Sequence, residues 1–594
     1  MTRNFDSFGR IERHERASRS FEKVRAGFAA SAAEETSLLA FGNGRSYGDS
    51  CHNDAGLLVP MRSVAAIESF DPATGILQAQ AGVLLSEIIG FVAPHGYFLP
   101  VTPGTRFVTL GGAIANDVHG KNHHLRGTFG CHVESLELLR SDGVRYHCSL
   151  HENEGLFAAT IGGMGLTGLI VSARLRLMPV GSLDVEERIV PFDNLDAYFD
   201  MAEAADRQNE YAVAWVDQLS RGKTAGRGVL ITGNHAGNGN RSVEDERVRL
   251  GVPFDLPFSV LNRVSLRLFN MAYFNAKRRK QKPHLASFGS FFYPLDGVGQ
   301  WNRLYGPAGL YQHQSVIPFD AARHIIPAML AASREAGQAS FLTVLKRFGD
   351  TASPGLLSFP KPGYTLTMDF PNRGGKTRAL LQTLDNMTIG AGGRVNPYKD
   401  QRMGAATFKA GFPQWPELEQ WRDKRFCSDF WRRTALAPEL QQEDERQAQS
   451  DQGKTMKYIP FILFTVMTNA AAQLMLKYGM ITLGPISFSA DTLIQRIFQI
   501  VFNPWVFAGL FTFVISMASH LYVLSKVDLS FAYPFLSLAY VAVALCAWLL
   551  FKEELGAYKI AGIAFICIGT ILIAQSGKVR EADKAVTVQE QAQL

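Results

Sequence analysis

Glycine, histidine and lysine crowd into Pro103–His132, PGTRFVTLGGAIANDVHGKNHHLRGTFGCH, in a pattern that suits a phosphate-bearing cofactor beside a reactive centre. Gly104, Gly111, Gly112, Gly127 and Gly130 let the backbone approach a ligand and expose N–H groups, which anions favour. Between these turns His119, Lys121, His123 and His124 supply groups that could move a proton or hold charge. A glycine-rich loop with a surface histidine cluster is the other reading of the same residues. Upstream, the apolar run Leu38–Phe41 leads into Gly42, Gly44, Arg45, Ser46, Tyr47, Gly48 and Asp49. A strand followed by a glycine turn, Arg and Ser is a candidate pyrophosphate cradle. A Rossmann loop would need Gly-x-Gly-x-x-Gly opening a helix, whereas Cys51-His52-Asn53 continue a loop here.

Around these groups the chain reads as short strands at Gly56–Met61, Ile67–Phe70 and Ile76–Gly82, broken by turns such as Asp71-Pro72. Further along, Gln312 and Gln314 alternate in YQHQSVIP. Strand periodicity puts both amides on one face, suited to hydrogen-bonding sugar hydroxyls. The histidines have no carboxylate partners at metal-ligand spacing, so no metal site is expected.

Several long motifs recur in a fixed order: GRSYGD, PGTR-x-VT-x-GGAIA-x-D-x-HGKNHH, GG-x-GLTG (Gly162–Gly168), PLD-x-x-x-x-WNR-x-YGPAG (Pro294–Gly309), LKRFG, and GGR-x-x-x-x-KD-x-R (Gly392–Arg402). Over roughly residues 5–440 the chain resembles FAD-binding enzymes of the vanillyl-alcohol-oxidase type and, within them, the decaprenylphosphoryl-β-D-ribose 2′-oxidase family. The resemblance implies an α+β fold, with FAD-binding parts at 1–182 and 395–440 around a substrate domain at 183–394. It implies oxidation of the ribose 2-hydroxyl of a polyprenyl-phosphoryl ribose to a ketone, a step of arabinan precursor synthesis that a separate NAD(P)H-dependent keto-reductase would complete. FAD-dependent oxidation of an aldonolactone or alditol is the alternative within the same fold.

Residue by residue, Lys399 matches the family's catalytic lysine, able to stabilise charge at the flavin or to act as a base. His119 joins it near the flavin, and Lys121 near the substrate phosphate; of His123 and His124 at least one is structural. Beyond the early glycine loops, the cofactor set takes in Pro103, Thr105, Ala115, Asn116, Gly120, Asn122, His123, Gly165 and Gly168. The substrate set adds Tyr305, Gln312, Gln314, Lys346 and Thr367. Packing is an equal reading for Tyr305, and Lys346 could pair with a lipid phosphate. Thr367 stands where some members carry a cysteine, so no thiol is needed and inhibitors that depend on one should fail. Asp49 occupies the place of the histidine that bonds flavin covalently in other relatives, so noncovalent FAD is expected.

At 594 residues and net charge +6 the chain is long enough for several domains and only mildly basic, with pI near 8.9. Runs such as Arg278-Arg279-Lys280 are isolated, which speaks against nucleic acid. Six scattered cysteines without a Cys-x-x-Cys pair indicate neither a disulfide framework nor zinc. The charged N-terminus has no apolar core of the secretory kind.

Near residue 440 the character changes. Residues 441–455 form a polar linker, and residues 456–577 hold four apolar segments, Tyr458–Leu476, Pro504–Leu524, Phe531–Phe551 and Ile560–Ala574, before a polar tail at 578–594. Each is about long enough to cross ~30 Å of hydrocarbon, the last only marginally. NAAAQLMLKYG (Asn469–Gly479) and YPFLSLAYVAVALCAWLLFKEEL (Tyr533–Leu555) resemble the small-multidrug-resistance/EamA-like superfamily, particularly subunits that translocate polyprenyl-phosphate-linked sugars. Asn469 stands where proton-coupled exporters carry a glutamate, and a neutral amide cannot exchange protons, so drug antiport is disfavoured. A multi-pass protein of the inner membrane, its catalytic domain cytoplasmic, is expected, and by analogy a homodimer.

Overall fold

The computed structural model describes residues 5–29, 36–243, 250–256, 258–399, 402–437, 459–484, 498–524, 538–552, 554, 556 and 559–566. The linker at 441–455, the tail at 578–594 and much of the fourth apolar segment lie outside them. The chain divides into two compact units, Met1–Leu440 and Gln441–Leu594.

In the first unit, a five-stranded sheet runs in the order Ile67–Asp71, Ile76–Gln80, Leu169–Arg176, Val133–Leu139, Arg145–Ser149, every neighbour antiparallel. Leu77, Ala79, Leu136, Leu138 and Leu175 pack beneath the helices Leu85–Val92 and Leu110–Ala115. The second helix starts where Thr109 Oγ1 accepts the Gly112 amide (3.2 Å), satisfying one of the free N–H groups of its first turn. A small parallel pair, Leu38–Phe41 with Leu57–Pro60, carries the loop that follows Phe41.

Residues 185–395 build an antiparallel eight-stranded sheet in the order His284–Ala286, Val185–Phe192, Gly228–His235, Tyr211–Val216, Val344–Phe348, Gly363–Pro371, Leu310–Ile317, Arg394–Val395. Strand alternation sends Tyr311, Ile317, Leu345, Leu366 and Phe370 to one face, where helices Leu195–Gln208, Phe319–Glu335 and Gly375–Gly390 seal them into a core. The same alternation leaves Gln312, Gln314, Lys346 and Thr367 for the opposite face. Residues 425–433 return to the N-terminal strand: Leu38 N–H donates to Arg425 O (2.7 Å), and Cys427 N–H donates to Leu38 O (3.0 Å).

In the second unit, helices Ile459–Leu483 and Pro504–Leu524 pack through small residues. A Cβ on Gly479 would lie 2.6 Å from Val506 Cγ2, and one on Gly509 2.9 Å from Leu476 Cγ. Thr465 and Ser519 hydroxyls meet at 2.8 Å, and Ser516 donates to Thr465 O, so polar groups turn inward. Phe507, Phe511 and Val514 turn outward. Leu538–Phe551 is a third apolar helix. Among the described residues Pro504–Tyr522 is the one helix long and apolar enough to span a bilayer.

Candidate active site

A cavity of about 1130 Å³ opens between the five-stranded and the eight-stranded sheets of the first unit. One wall comes from the loop after Phe41 and from the Pro103–Asn116 stretch. Gly42, Gly44, Arg45, Ser46, Tyr47, Pro103, Gly104, Thr105, Gly111, Gly112, Ala115 and Asn116 all line it, with Gly165 and Gly168 beyond. Two glycines are sterically required. A Cβ on Gly42 would lie 2.5 Å from Thr109 Oγ1, and Gly44 has a positive φ of 59°. Gly104 is different: a Cβ there meets no protein atom within 4 Å. It faces the cavity, so a side chain would take space that a ligand needs. Arg45 reaches in with its guanidinium near the Phe8 and Phe107 rings and its Nε without a protein acceptor. Open glycine backbone plus an under-bonded guanidinium fits the pyrophosphate of a dinucleotide cofactor.

The other wall is the free face of the eight-stranded sheet. Gln314 stands opposite Thr367, Thr367 opposite Val344, Gln312 opposite Asp369, and Lys346 opposite Thr365. Their hydrogen bonds have a fixed direction. Tyr398 N–H donates to Asn396 Oδ1 (3.0 Å), which turns the Asn396 amide nitrogen onto Gln314 Oε1 (2.9 Å). Gln314 then offers Nε2 to Thr365 Oγ1 (3.1 Å) and to His119 Nε2 (3.0 Å). His119 Nε2 must accept, which puts the ring's single hydrogen on Nδ1. Burial holds that ring neutral by pulling its pKa well below the usual imidazole value, and Lys346 adds to this only when it carries a proton. Nδ1 faces Lys346 Nζ at 3.3 Å, and Nζ can accept this hydrogen only as a neutral amine. Burial first, then Lys121 and Lys399, lower Lys346 to about 7, in keeping with that polarity.

Lys399 enters from the return segment and lies over the Tyr47 ring, 4.4 Å from its centroid, while Tyr47 N–H donates to Tyr398 O (3.1 Å). Burial lowers Lys399 to about 8, and Asp369 works against that fall. Asp369 is buried on the sheet face, where it accepts from Gln312 Nε2 (2.6 Å) and the Tyr305 hydroxyl (3.5 Å). Desolvation raises its carboxyl to about 7. Two lysines that can change charge near neutrality thus line the cavity, and one such carboxyl lies buried behind its wall.

Sequence reasoning missed Asp369 and Asn396. Asp369 sits in an ordinary apolar strand, YTLTMDF, and only its pairing with Gln312 gives it away. Asp117, also missed, ties the histidine block to the loop at 353–358 by accepting from Gly130 N–H (2.8 Å), Ser353 (2.6 Å) and Ser358 (2.5 Å).

Eight expected site residues do not line the cavity. Asp49 is clamped by both nitrogens of the Arg433 fork (2.6 and 2.9 Å), and Gly48 precedes it in the same buried turn. Lys121 turns away to donate to Phe291 O, with Nζ 4.6 Å from the Phe291 ring. Asn122 donates to Pro100 O (2.9 Å) and Glu210 (3.0 Å), and His123 packs on Phe348 at 4.5 Å. Gly127 closes the short helix His123–Arg126, and Gly120 supplies a carbonyl to Lys346. Tyr305 is buried behind the wall against Trp301 and Asp369. His119, Gln312, Gln314, Lys346, Thr367 and Lys399 do line it. Among the described residues no cluster suited to a metal ion occurs.

Residues 17–149 match the FAD binding domain family, and residues 454–575 the EamA-like transporter family. The chain is 35% identical over 433 residues to decaprenylphosphoryl-beta-D-ribose oxidase of Mycolicibacterium smegmatis, covering 68% of this chain and 91% of that protein. It is 33% identical over 380 residues to an uncharacterized protein in the mprA 5′ region of Streptomyces coelicolor, covering 60% of this chain and all of that protein. The C-terminal unit is 35% identical over 123 residues to a probable 4-amino-4-deoxy-L-arabinose-phosphoundecaprenol flippase subunit of Enterobacter sp., covering 20% of this chain and 93% of that subunit. With glycine loops, sheet face and lysines gathered at one cavity, the chain belongs to the decaprenylphosphoryl-β-D-ribose oxidase family of FAD-dependent oxidoreductases, extended by an EamA-like membrane domain.

Proposed function

We propose that this protein oxidises the ribose 2-hydroxyl of a polyprenyl-phosphoryl-β-D-ribose to the 2-keto sugar. The observation that carries the reading is the convergence, in one cavity, of a cofactor cradle with Gln312, Gln314, Lys346 and Lys399. FAD, when bound, supplies the acceptor for the hydride that leaves C2. Arg45, Gly104 and Gly112 would hold its pyrophosphate. Gln312 and Gln314 hydrogen-bond the sugar hydroxyls from amides fixed by Asp369 and Asn396. Lys399, a neutral amine in a fraction of molecules at pH 7, takes the hydroxyl proton. Lys346 receives the substrate phosphate and gains a proton as the anion arrives. Before the anion arrives, the Nδ1–H of His119 holds the neutral Lys346 amine in place.

The split of the first unit into cofactor parts at 1–182 and 395–440 around a substrate domain at 183–394 belongs to the same reading. So do noncovalent FAD, a four-helix multi-pass membrane domain with the catalytic unit in the cytoplasm, pairing of that domain into a dimer, and a separate NAD(P)H-dependent keto-reductase. The membrane domain keeps the lipid substrate or product at hand, which raises its effective concentration. Asn469, next to Gln473 at 3.2 Å, offers that domain amides rather than a titrating carboxylate.

Purified full-length protein should be mixed anaerobically with polyprenyl-phosphoryl ribose, with sugar lactones or alditols, or with no sugar, while flavin absorbance is followed. Bleaching by the lipid-linked ribose alone is expected. Bleaching by a lactone or alditol but not by the lipid-linked ribose would overturn the proposal.

A further inference from the structure

The chain leaves the cavity wall at Pro253 and rejoins it at Leu295, and the intervening segment has an unusual surface. Its main element is the helix Arg263–Arg278, capped by Asn262 Oδ1 on the Val264 and Ser265 amides. One stripe of this helix is buried: Leu266, Asn270 and Phe274, with Asn270 donating to Asp217 (2.7 Å). That stripe is enough to hold the helix on the sheet. The opposite stripe, at i, i+4 and i+7, is Val264, Leu268 and Met271, exposed by 70%, 58% and 50%. Phe254 and Phe258, just before the helix, are exposed by 64% and 67%. Large side chains concentrated on one outward face are not what water-facing helices carry.

Charge points to what covers this face. Between Asp255 and Asp296 the sequence has no acidic residue and seven basic ones, Arg263, Arg267, Lys277, Arg278, Arg279, Lys280 and Lys282. Lys277 turns inward to Glu187 (3.3 Å). Arg267, Arg278 and Arg279 flank the exposed stripe, as the 100° step per residue requires. An apolar stripe bordered by arginines and lysines is the pattern of a helix that lies in the plane of an anionic leaflet, with its apolar side chains at the acyl boundary and its cations among the phosphates.

We propose that the segment 254–285 is an in-plane docking surface for an anionic lipid leaflet, which holds the mouth of the cavity against the bilayer. The rim supports this, because Arg303 donates to the carbonyls of Val252 (2.9 Å) and Pro253 (2.7 Å), fixing the start of the segment to the cavity-lining turn at Trp301–Tyr305. Docking lets the head group of a lipid-linked sugar enter while its polyprenyl chain stays in hydrocarbon, an inference that rests on the substrate proposed above.

The test uses the full chain in vesicles of phosphatidylcholine with or without phosphatidylglycerol. A photoreactive benzoylphenylalanine replaces Leu268, and in a control replaces Glu203, which lies on the opposite side of the eight-stranded sheet. Irradiation should give lipid adducts at position 268 and not at 203, with a yield that rises several-fold with the anionic lipid and falls with salt. Adducts to a second copy, to another protein or to this chain's own membrane helices, or equal lipid labelling at both positions, would overturn the docking surface. The double variant Leu268→Asp/Met271→Asp should raise KM for bilayer-embedded substrate by about ten-fold or more, with kcat on a short-chain soluble analogue unchanged. An unchanged KM would also overturn it. Lipid adducts at 268 in a protein that does not oxidise the ribose lipid would leave the docking standing and remove the substrate reading instead.

Discussion

Replacing Asp369 by asparagine isolates the part played by Lys399. In the wild-type cavity burial lowers Lys399 to about 8, and the Asp369 carboxyl opposes that fall. A lysine that accepts the hydroxyl proton works in its neutral form, so kcat/KM rises with pH through the Lys399 pKa. Asp369→Asn removes the attraction while keeping an oxygen for Gln312 and a polar group for Tyr305. The neutral amine gains, and the midpoint of the acidic limb moves to lower pH. The shift should be about one unit, or ~1.4 kcal/mol, at the low end for a neighbouring charge. It sits at that end because Asp369, raised to about 7, is only partly ionised when Lys399 begins to titrate. Stability gives an independent check with a definite sign. The folded protein holds the Asp369 proton more tightly than the unfolded chain, whose value is 3.8, so wild type loses stability as pH climbs from there to about 7. Asparagine has no such loss, and the thermal midpoint of the variant relative to wild type should rise across that window. Anaerobic flavin bleaching against pH measures the first effect, and calorimetry of the FAD-loaded protein the second. A rate midpoint that stays put or moves upward would refute Lys399 as the base.

Three further outcomes follow from the same geometry. Lys399→Ala should cut turnover by about 10²–10³ with FAD retained, while His124→Ala, whose ring meets Asn209 O (3.0 Å) and faces Asp206 (3.8 Å) away from the cavity lining, should be much milder; turnover of the Lys399 variant within a few-fold of wild type would remove its role. Acid precipitation should release all flavin into the supernatant, because Asp49 is held by Arg433 and offers no nucleophilic nitrogen; fluorescence left on the denatured band would contradict this. Gly42→Ala puts a methyl 2.5 Å from the Thr109 hydroxyl and should weaken FAD binding about five-fold or more through a cost of ~1–3 kcal/mol, read by titrating apoprotein with FAD.

Much of the cofactor side was legible in the sequence because close backbone approach leaves glycine little alternative. Gly42 and Gly44 are fixed by a contact and a positive φ, and such positions announce themselves in the chain. The pair Gln312 and Gln314 was legible for another reason: strand alternation is a local property, and His313 between them turns to Asp385 on the far face. Long-range partners were not legible. The HGKNHH block gives no hint that Lys121 turns onto Phe291 while His119 turns into the cavity, since that depends on a helix 170 residues away. Asp49 reads as a cofactor-loop residue until Arg433, 384 positions later, is seen to bind it. Asp369 had no motif, because burial beside Gln312, and not its neighbours in sequence, gives it its chemistry.

The clamp between Asp49 and Arg433 also sets an order of events during synthesis. The strand and loop at 38–54 are made early, yet their stitches come from Arg425, Cys427, Asp429 and Arg433, at the far end of the first unit. Until those residues have left the ribosome the loop lacks its anchor, however completely the strands between have folded. The first apolar segment of the membrane domain follows within a few dozen residues. The anchor of this loop and the first apolar segment therefore emerge close together in synthesis, so the loop can close only at about the time the membrane domain begins to be made.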